Sequence, residues 1–258
     1  MSRDVLLQLA LLLWFVVLAM IEVGMAKKYR PTANLDADAR LLTNFGFTAL
    51  YLLVGALLPL ATAVAAVSGE GLGVGLANYV PMPWLVVLVL TLLGLTFANY
   101  WTHRWVHQNS VLWRIHRVHH ADTAVDVSTS LRNHPLELLV TVPTSMLVIL
   151  TLGAPIYVVA VVQTLNLAGT IWEHADIELP PNVDRALATI FITPGLHRLH
   201  HNPERPIHDS NFGTVFSFWD RLFGTFRAND ERGPVGLNGQ VRRPDHFVDQ
   251  IWSPLVSA

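Results

Sequence analysis

An all-α integral membrane bundle is the fold class that the sequence predicts, with about four to five membrane helices, the last two a short hairpin, and a cytosolic helical cap that carries clustered histidines. Three observations predict it: long continuous apolar runs, sparse charge confined to a few segments, and histidines at helical spacing at the ends of those runs. Of the 258 residues, 52% are hydrophobic and only 14% are charged, against about 25% charged in a typical soluble domain. The mean hydropathy is +0.41. A net charge of −2 argues against a nucleic-acid partner, which a basic surface would mark. The chain has no cysteine, which excludes disulfides, thiolate metal sites and cysteine nucleophiles.

The apolar runs are read in order. Val5 to Met25 ends in "AKKYR" without a small-residue cleavage site at the usual spacing, and it reads as a retained anchor helix rather than a signal peptide. Leu41 to Val67 is long enough to span with tilt. Pro83 to Tyr100 spans if its helix continues into the polar "WTHRWVH". Leu136 to Leu152 and Pro155 to Trp172 are at the short limit for a bilayer and are joined only by Gly153 and Ala154, which predicts the hairpin. Proline and glycine punctuate the junctions, at Pro31, Gly69 to Gly75, Pro81, Pro83, Pro135 and Pro155. The chain divides into 1–82 (N-terminal helices and connector), 83–227 (the segment that bears the clustered histidines) and 228–258 (a C-terminal tail).

Of 17 Lys and Arg residues, only Arg3 lies outside the segments 27–40, 104–132 and 185–243, and 68–82 has neither residue. The positive-inside tendency then places the three basic segments in the cytoplasm and 68–82 on the far side. The amino terminus is outside, the 136–172 pair returns to its starting side, and every clustered histidine falls on the cytoplasmic face.

The histidines carry the chemistry. His103 and His107 are four apart, one turn on one helical face. His116, His119 and His120 have i, i+3, i+4 spacing, and His197, His200 and His201 repeat it. Such spacing aims imidazoles at a common point, and neutral imidazole suits Zn, Cu, Fe and Ni, whereas Mg, Ca and Mn prefer oxygen. Eight imidazoles exceed the needs of one metal, since zinc sites are usually four-coordinate. Two metals sharing eight or more ligands is the simplest reading, and imidazole alone does not select iron over zinc or copper.

"HRWVH", "HRVHH" and "HRLHH" resemble the HxxxH, HxxHH and HxxHH boxes of the fatty acid hydroxylase/sterol desaturase superfamily of membrane di-iron enzymes. The resemblance covers roughly 83–227. It extends to "STSLRNHPLE" after the second box, similar to bacterial members, and to "DSNFGTVFSFWDRLFGTF" after the third. It implies metal ligation by His103, His107, His116, His119, His120, His197, His200 and His201. It also implies a ninth ligand after the last membrane helix, at His174 in "IWEHADIELP". His134 reads either as a further ligand or hydrogen-bonding support, or as a helix-start residue before Pro135. Asp209, Asn211 and Asp220 are candidates for orienting ligand imidazoles, since a ligating histidine usually donates its second N–H to a carboxylate or carbonyl; turn formation is the alternative. Glu173 and Asp176 flank His174 and are weaker candidates of the same kind. His208 and His246 read as surface residues, and Trp219 and Phe223 as packing.

The resemblance further implies an O₂-dependent hydroxylase or desaturase acting on a membrane lipid (fatty acyl, sterol-like or ether lipid), with two Fe ions as cofactor. Zinc can substitute in a purified or crystallised sample. Ether cleavage and aldehyde decarbonylation are further chemistries of the same scaffold. No haem-attachment motif or GxGxxG fingerprint is present, so electrons are expected from an external ferredoxin, cytochrome b5-like protein or reductase. The expected location is the bacterial inner membrane. The reading from another class is a histidine-rich membrane metal transporter or metal-binding protein. It is disfavoured because transporters place ionisable groups at mid-membrane, whereas these histidines fall at helix ends and in the cap.

Overall fold

Long apolar stretches dictate the longest helices of the computed structural model, which describes residues 3–29, 37–57, 61–228, 233–237, 239 and 241–256. In chain order they are α1 (Arg3–Tyr29), α2 (Ala37–Leu57), α3 (Ala61–Leu72), the single turn α4 (Leu76–Tyr79), α5 (Trp84–Gln108), α6 (Ser110–His120), α7 (Leu138–Leu152) and α8 (Ile156–His174). Five short helices complete the cap and the C-terminal segment: α9 (Pro181–Leu187), α10 (Pro194–His200), α11 (Arg205–His208), α12 (Phe218–Leu222) and α13 (Phe247–Trp252). Short 3-10 turns occupy Val127–Leu131, Pro135–Glu137 and Ser253–Leu255. Among the described residues there is no strand, only an isolated bridge between Phe191 and Phe216. The chain is an all-α membrane bundle.

Among the described residues, four stretches are long and apolar enough to cross a membrane: Leu6–Met25, Trp84–Gln108, Pro135–Leu152 and Ile156–His174. No more than 33% of any of these windows is buried within the protein, so most of their apolar surface is left for lipid. Leu12, Leu13, Met20, Leu85, Leu139 and Leu147 are among the exposed large side chains. Several hydroxyls within the spans are satisfied internally: Thr91, Thr164 and Thr170 each donate to the carbonyl four residues back at 2.7–3.1 Å. That is the arrangement hydrocarbon requires of a polar group.

Two expectations for the spans hold. α5 runs without interruption through the first histidine pair to Gln108, as a spanning Pro83–Tyr100 run required. α7 and α8 form the hairpin: Gly153 closes α7 in a left-handed conformation (φ +66°), its N–H reaching Ile149 O at 2.9 Å, and Pro155 caps α8. The run Leu41 to Val67, expected to be long enough to span, is described as α2 up to Leu57 and as α3 from Ala61; residues 58–60 lie outside the described residues.

α3, α5, α7 and α8 share the principal core, in which Ala65, Ala66, Leu95, Ile149, Val158 and Val162 are buried. At the end of the bundle far from the histidines, the 68–82 connector abuts the α7–α8 turn. A Cβ on Gly75 (φ +101°) would lie 2.2 Å from Gly153 N and 2.4 Å from Leu150 O. Only glycine fits such an approach between backbones. Gly75→Ala is therefore expected to destabilise the bundle by at least about 2 kcal/mol, read as a lower midpoint of thermal unfolding in detergent, while Gly71→Ala, where a Cβ meets nothing within 4 Å, serves as the control.

The opposite end is where α1 and α2 meet the histidine segment. Glu22 of α1 accepts from Val127 N (3.0 Å) and Asp176 N (2.6 Å). Arg40 of α2 donates to Asp122 (3.2 Å) and Ala124 O (2.8 Å) and pairs with Asp126. Asn44 and Thr129 also donate to Asp122, at 2.9 and 2.7 Å. The C-terminal segment is not a detached tail. Phe247 packs on Phe47 with ring centroids 5.2 Å apart, and Arg117 donates to Val256 O at 2.8 Å.

Candidate metal centre

Four helix ends aim the histidines at one region. Asn109 makes the first reversal: its N–H closes α5 on Trp105 O, while its Oδ1 accepts from Val111 N (3.0 Å) and Leu112 N (3.1 Å) at the start of α6. A side-chain acceptor at this position satisfies donors that the first helical turn leaves free. A single residue thus turns the chain, so that His103 and His107 on α5 face His116, His119 and His120 on α6. α10 begins at Pro194 after Thr193, whose hydroxyl accepts from Leu196 N at 3.3 Å. It carries His197 and His200 and is closed by His201. His174 is the last residue of α8.

The nine side chains sort into two groups whose ring nitrogens lie within 4.8 Å of one another: His103, His107, His116, His120 and His200, and then His119, His174, His197 and His201. Each HxxHH box is shared between the groups. On α6 the i, i+4 pair His116 and His120 enters the first group and His119 the second; in the third box the pair His197 and His201 enters the second and His200 the first. Within the first group Nε2 atoms meet at 3.0–3.2 Å, through His200–His103, His103–His116, His116–His120 and His120–His107. In the second, His174 Nε2 lies 3.0 Å from both His119 and His197, and His197 lies 3.2 Å from His201.

The donor chemistry of these contacts fits a cation in each group. A neutral imidazole has one N–H and one lone pair. His103 Nδ1 contacts Phe212 O at 2.9 Å and His200 Nδ1 contacts Ser210 O at 2.8 Å. A carbonyl can only accept, so both protons are on Nδ1 and both Nε2 atoms present lone pairs to each other at 3.0 Å. His174 is fixed in the same way by Thr170 O at 2.7 Å. Opposed lone pairs repel, and a metal ion between them turns the repulsion into coordination. Burial, and then the neighbouring imidazoles, hold His119, His120, His197, His200 and His201 well below the ordinary histidine range. These rings are neutral at pH 7, the form in which imidazole ligates.

Around the groups the sequence candidates take different places. Asp209 Oδ1 lies 3.3 Å from His107 Nδ1. Asn211 and Asp220 hydrogen-bond to backbone groups and Thr225 rather than to an imidazole. Asn211, at φ +53°, donates to Leu196 O and Arg227 O and accepts from Arg227 N, each at 3.0 Å. Asp220 accepts from Phe212 N (2.7 Å) and Gly213 N (2.9 Å), holding the peptide whose carbonyl meets His103. His134 stands apart from both groups, with Nε2 on Ile251 O and Nδ1 accepting from Leu136 N, each at 3.2 Å. That is the helix-start arrangement before Pro135. Glu173 approaches His174 and His197 only to 3.9 Å, and Asp176 pairs with Arg198 at 3.5 Å. Trp219 and Phe223 pack as expected, on Phe97 at 5.2 Å and on Trp101 at 4.9 Å.

His208, read from the sequence as a surface residue, is buried. Its Nδ1 meets Asn202 O at 3.0 Å and its ring stacks on Trp113 with centroids 5.2 Å apart. The turn α11 folds back over α6, and nothing in the local sequence signals that contact; His246 is exposed. Sequence reasoning also missed the carbonyls of Ser210 and Phe212, because a backbone group has no residue signature. It missed Glu137 as well, whose Oε2 lies 3.5 Å from His116 Nδ1.

A cavity of about 430 Å³ between α2, α5, α7 and α8 reaches the histidines, with His103, His116, His119, His174 and His197 in its wall. Its outer wall includes Leu52 and Leu167, both exposed on the apolar flank of the bundle.

Known proteins carry the same segment. The chain is 33% identical to alkylglycerol monooxygenase of Homo sapiens over 171 residues, 62% of this chain and 36% of that protein. It is 29% identical to ornithine lipid hydroxylase OlsE of Rhizobium tropici over 176 residues, 67% of this chain and 51% of that one. It is also 29% identical to methylsterol monooxygenase 1-3 of Arabidopsis thaliana over 168 residues, 59% and 53% of the two chains. The matches thus span between about a third and about half of these relatives. No solved structure matches. The fatty acid hydroxylase family model matches residues 88–225, more than half of the chain and the stretch holding all nine histidines, and with this match the protein belongs to the fatty acid hydroxylase family.

Proposed function

We propose that this protein is a membrane non-haem di-iron oxidoreductase that hydroxylates a lipid drawn from the bilayer. The observation that carries the reading is the pair of all-histidine groups with opposed lone pairs, opening onto a cavity between membrane-embedded helices. His103, His107, His116, His120 and His200 would hold one iron, and His119, His174, His197 and His201 the other. Bound iron would supply reductive activation of O₂ and oxidation of an unactivated C–H bond. One oxygen atom enters that bond and the other leaves as water, with two protons and with two electrons from an external ferredoxin, cytochrome b5-like protein or reductase.

The chain's own residues bind and orient. The carbonyls of Phe212, Ser210 and Thr170 fix the tautomers of His103, His200 and His174, and Asp209 buttresses His107. The bundle excludes water and admits an apolar chain laterally past Leu52 and Leu167. Residues 83–227 would form the catalytic unit, and the described parts of 1–82 and 228–258 contact it through Glu22, Arg40 and Val256. The basic segments gathered at the histidine end support a cytoplasmic site in a bacterial inner membrane. The names of the relatives, which include an alkylglycerol monooxygenase and an ornithine lipid hydroxylase, support a lipid substrate. The placement of both groups at one end of the spans favours a fixed centre over a transport path.

Metal analysis of the purified protein is expected to give two irons per chain, and one tightly bound zinc with no iron would count against the assignment. Lipid extracts of cells expressing the protein under oxygen are expected to contain a species heavier by one oxygen atom that His119→Ala cells lack. A species lighter by two hydrogens would redirect the reading to desaturation, and identical lipid profiles would remove its support.

A further inference from the structure

Five buried imidazole atoms of the two histidine groups make no hydrogen bond: Nδ1 of His116, His119, His120, His197 and His201. Their Nε2 atoms face the other rings, and a neutral ring that ligates through Nε2 carries its proton on Nδ1. Each Nδ1 is then a donor, and buried donors in native proteins are almost always paired.

Two of the five face a buried carboxyl group. His197 Nδ1 lies 3.9 Å from Glu173 Oε2, which is itself buried without a partner. His116 Nδ1 lies 3.5 Å from Glu137 Oε2, and Oε1 of that carboxyl is buried without a partner too. Only a small side-chain movement separates either pair from a hydrogen bond. The pairs fall one to each group, since His116 belongs to the five-histidine group and His197 to the four. Two other carboxylates are already engaged, Asp122 by Arg40, Asn44 and Thr129, and Asp220 by Phe212 N and Gly213 N.

Nine neutral imidazoles contribute no charge, whereas each divalent ion brings two positive charges into a buried site. Buried charge is tolerated where an opposite charge or a ligand compensates it. An ion on Nε2 polarises the Nδ1–H bond of the same ring, and a charge-assisted bond from that donor to a carboxylate is shorter and stronger than a neutral one. We infer that Glu137 and Glu173 are positioning residues, one for each ion: Glu137 orients His116, Glu173 orients His197, and each lends a negative charge to its own group. The inference rests on the reading of the two groups as metal sites and adds the residues that orient and balance them. The effect of each carboxyl then depends on metal. Beside an ion it is a counter-charge; in protein stripped of metal it is a buried group with an unpaired oxygen, which costs stability. Among the described residues the four-histidine group has Glu173 alone beside it, whereas the five-histidine group has Glu137 and Asp209. Glu173 therefore carries the larger effect.

The test is a zinc titration of the full chain in detergent against a competing chelator, after iron has been stripped, with thermal unfolding followed before and after zinc is added. Zinc has no redox chemistry, so the readout is affinity rather than turnover. His200→Ala and His197→Ala, each retaining one group, assign the two affinities. Glu173→Gln keeps the shape of the side chain and loses its charge. It is expected to weaken zinc binding at the four-histidine group by about 10–100-fold and to leave the other group at the parent value. Glu137→Gln is expected to weaken the five-histidine group alone, at the lower end of that range. Stripped of metal, both variants are expected to unfold at or above the parent's midpoint, and with zinc below it; loss of a residue that merely fills space would lower both. Glu178→Gln, at an exposed position, is the control and should match the parent throughout. Parental affinities in both variants overturn the inference, as do equal losses at both groups or a lower midpoint without metal. A parent chain that takes up no metal defeats the two-metal reading, and this inference with it.

Discussion

Alanine at His200 is expected to remove one metal from the protein and alanine at His197 to remove the other, although the two residues are three apart on a single seven-residue helix. His200 Nε2 faces His103 in the five-histidine group, and His197 Nε2 faces His174 in the four-histidine group. Each variant should retain about one iron per chain, and both should lose activity by more than about 100-fold, beyond what is typical for loss of a residue that merely supports a ligand. The four-membered group has no spare ligand, so His197→Ala is expected to lose its ion more completely than His200→Ala does. Elemental analysis with a lipid-product assay on the same preparations checks both. Retention of both metals in either variant would contradict the two-group arrangement.

Asp122→Ala is expected to cost about 3–5 kcal/mol, the range for breaking a buried ion pair by removing one partner. Asp122 is fully buried two residues beyond the second histidine box, and accepts from Arg40, Asn44 and Thr129. Its removal leaves the Arg40 guanidinium with a carboxylate only at Asp126. It also removes the Arg40 and Asn44 bonds to Asp122, part of the network by which α2 holds the segment that follows α6. The midpoint of thermal unfolding in detergent should fall by roughly 10 °C. Asp122→Asn, which keeps one acceptor, should fall between the variant and the parent. A midpoint within a degree or so of the parent for Asp122→Ala would show that the network contributes little.

Much of the bundle was legible along the chain because membrane helices are specified locally. An apolar run of sufficient length, ended by proline, glycine or charge, can satisfy its backbone in lipid only as a helix. This is why α5 could be extended through "WTHRWVH" and the α7–α8 hairpin placed at Gly153 and Ala154.

The histidine spacing was equally legible, since i, i+3 and i+4 lie on one face of a helix whatever surrounds it. Sequence by itself therefore determined the membrane class, the four chain segments that bear imidazoles and the number of rings available. Only the tertiary structure decided how the rings are shared, with His119 parted from His116 and His120, and His200 from His197 and His201. It also decided that His208 of α11 is buried against Trp113, that His134 is engaged by the backbone, and that the carbonyls of Ser210 and Phe212 set tautomers. The physical reason is that periodicity fixes the direction of a side chain relative to its own helix axis, whereas a shared site depends on how four separate axes meet. That meeting is set by contacts between residues far apart in the chain, such as Asn44 with Asp122 and His174 with His119.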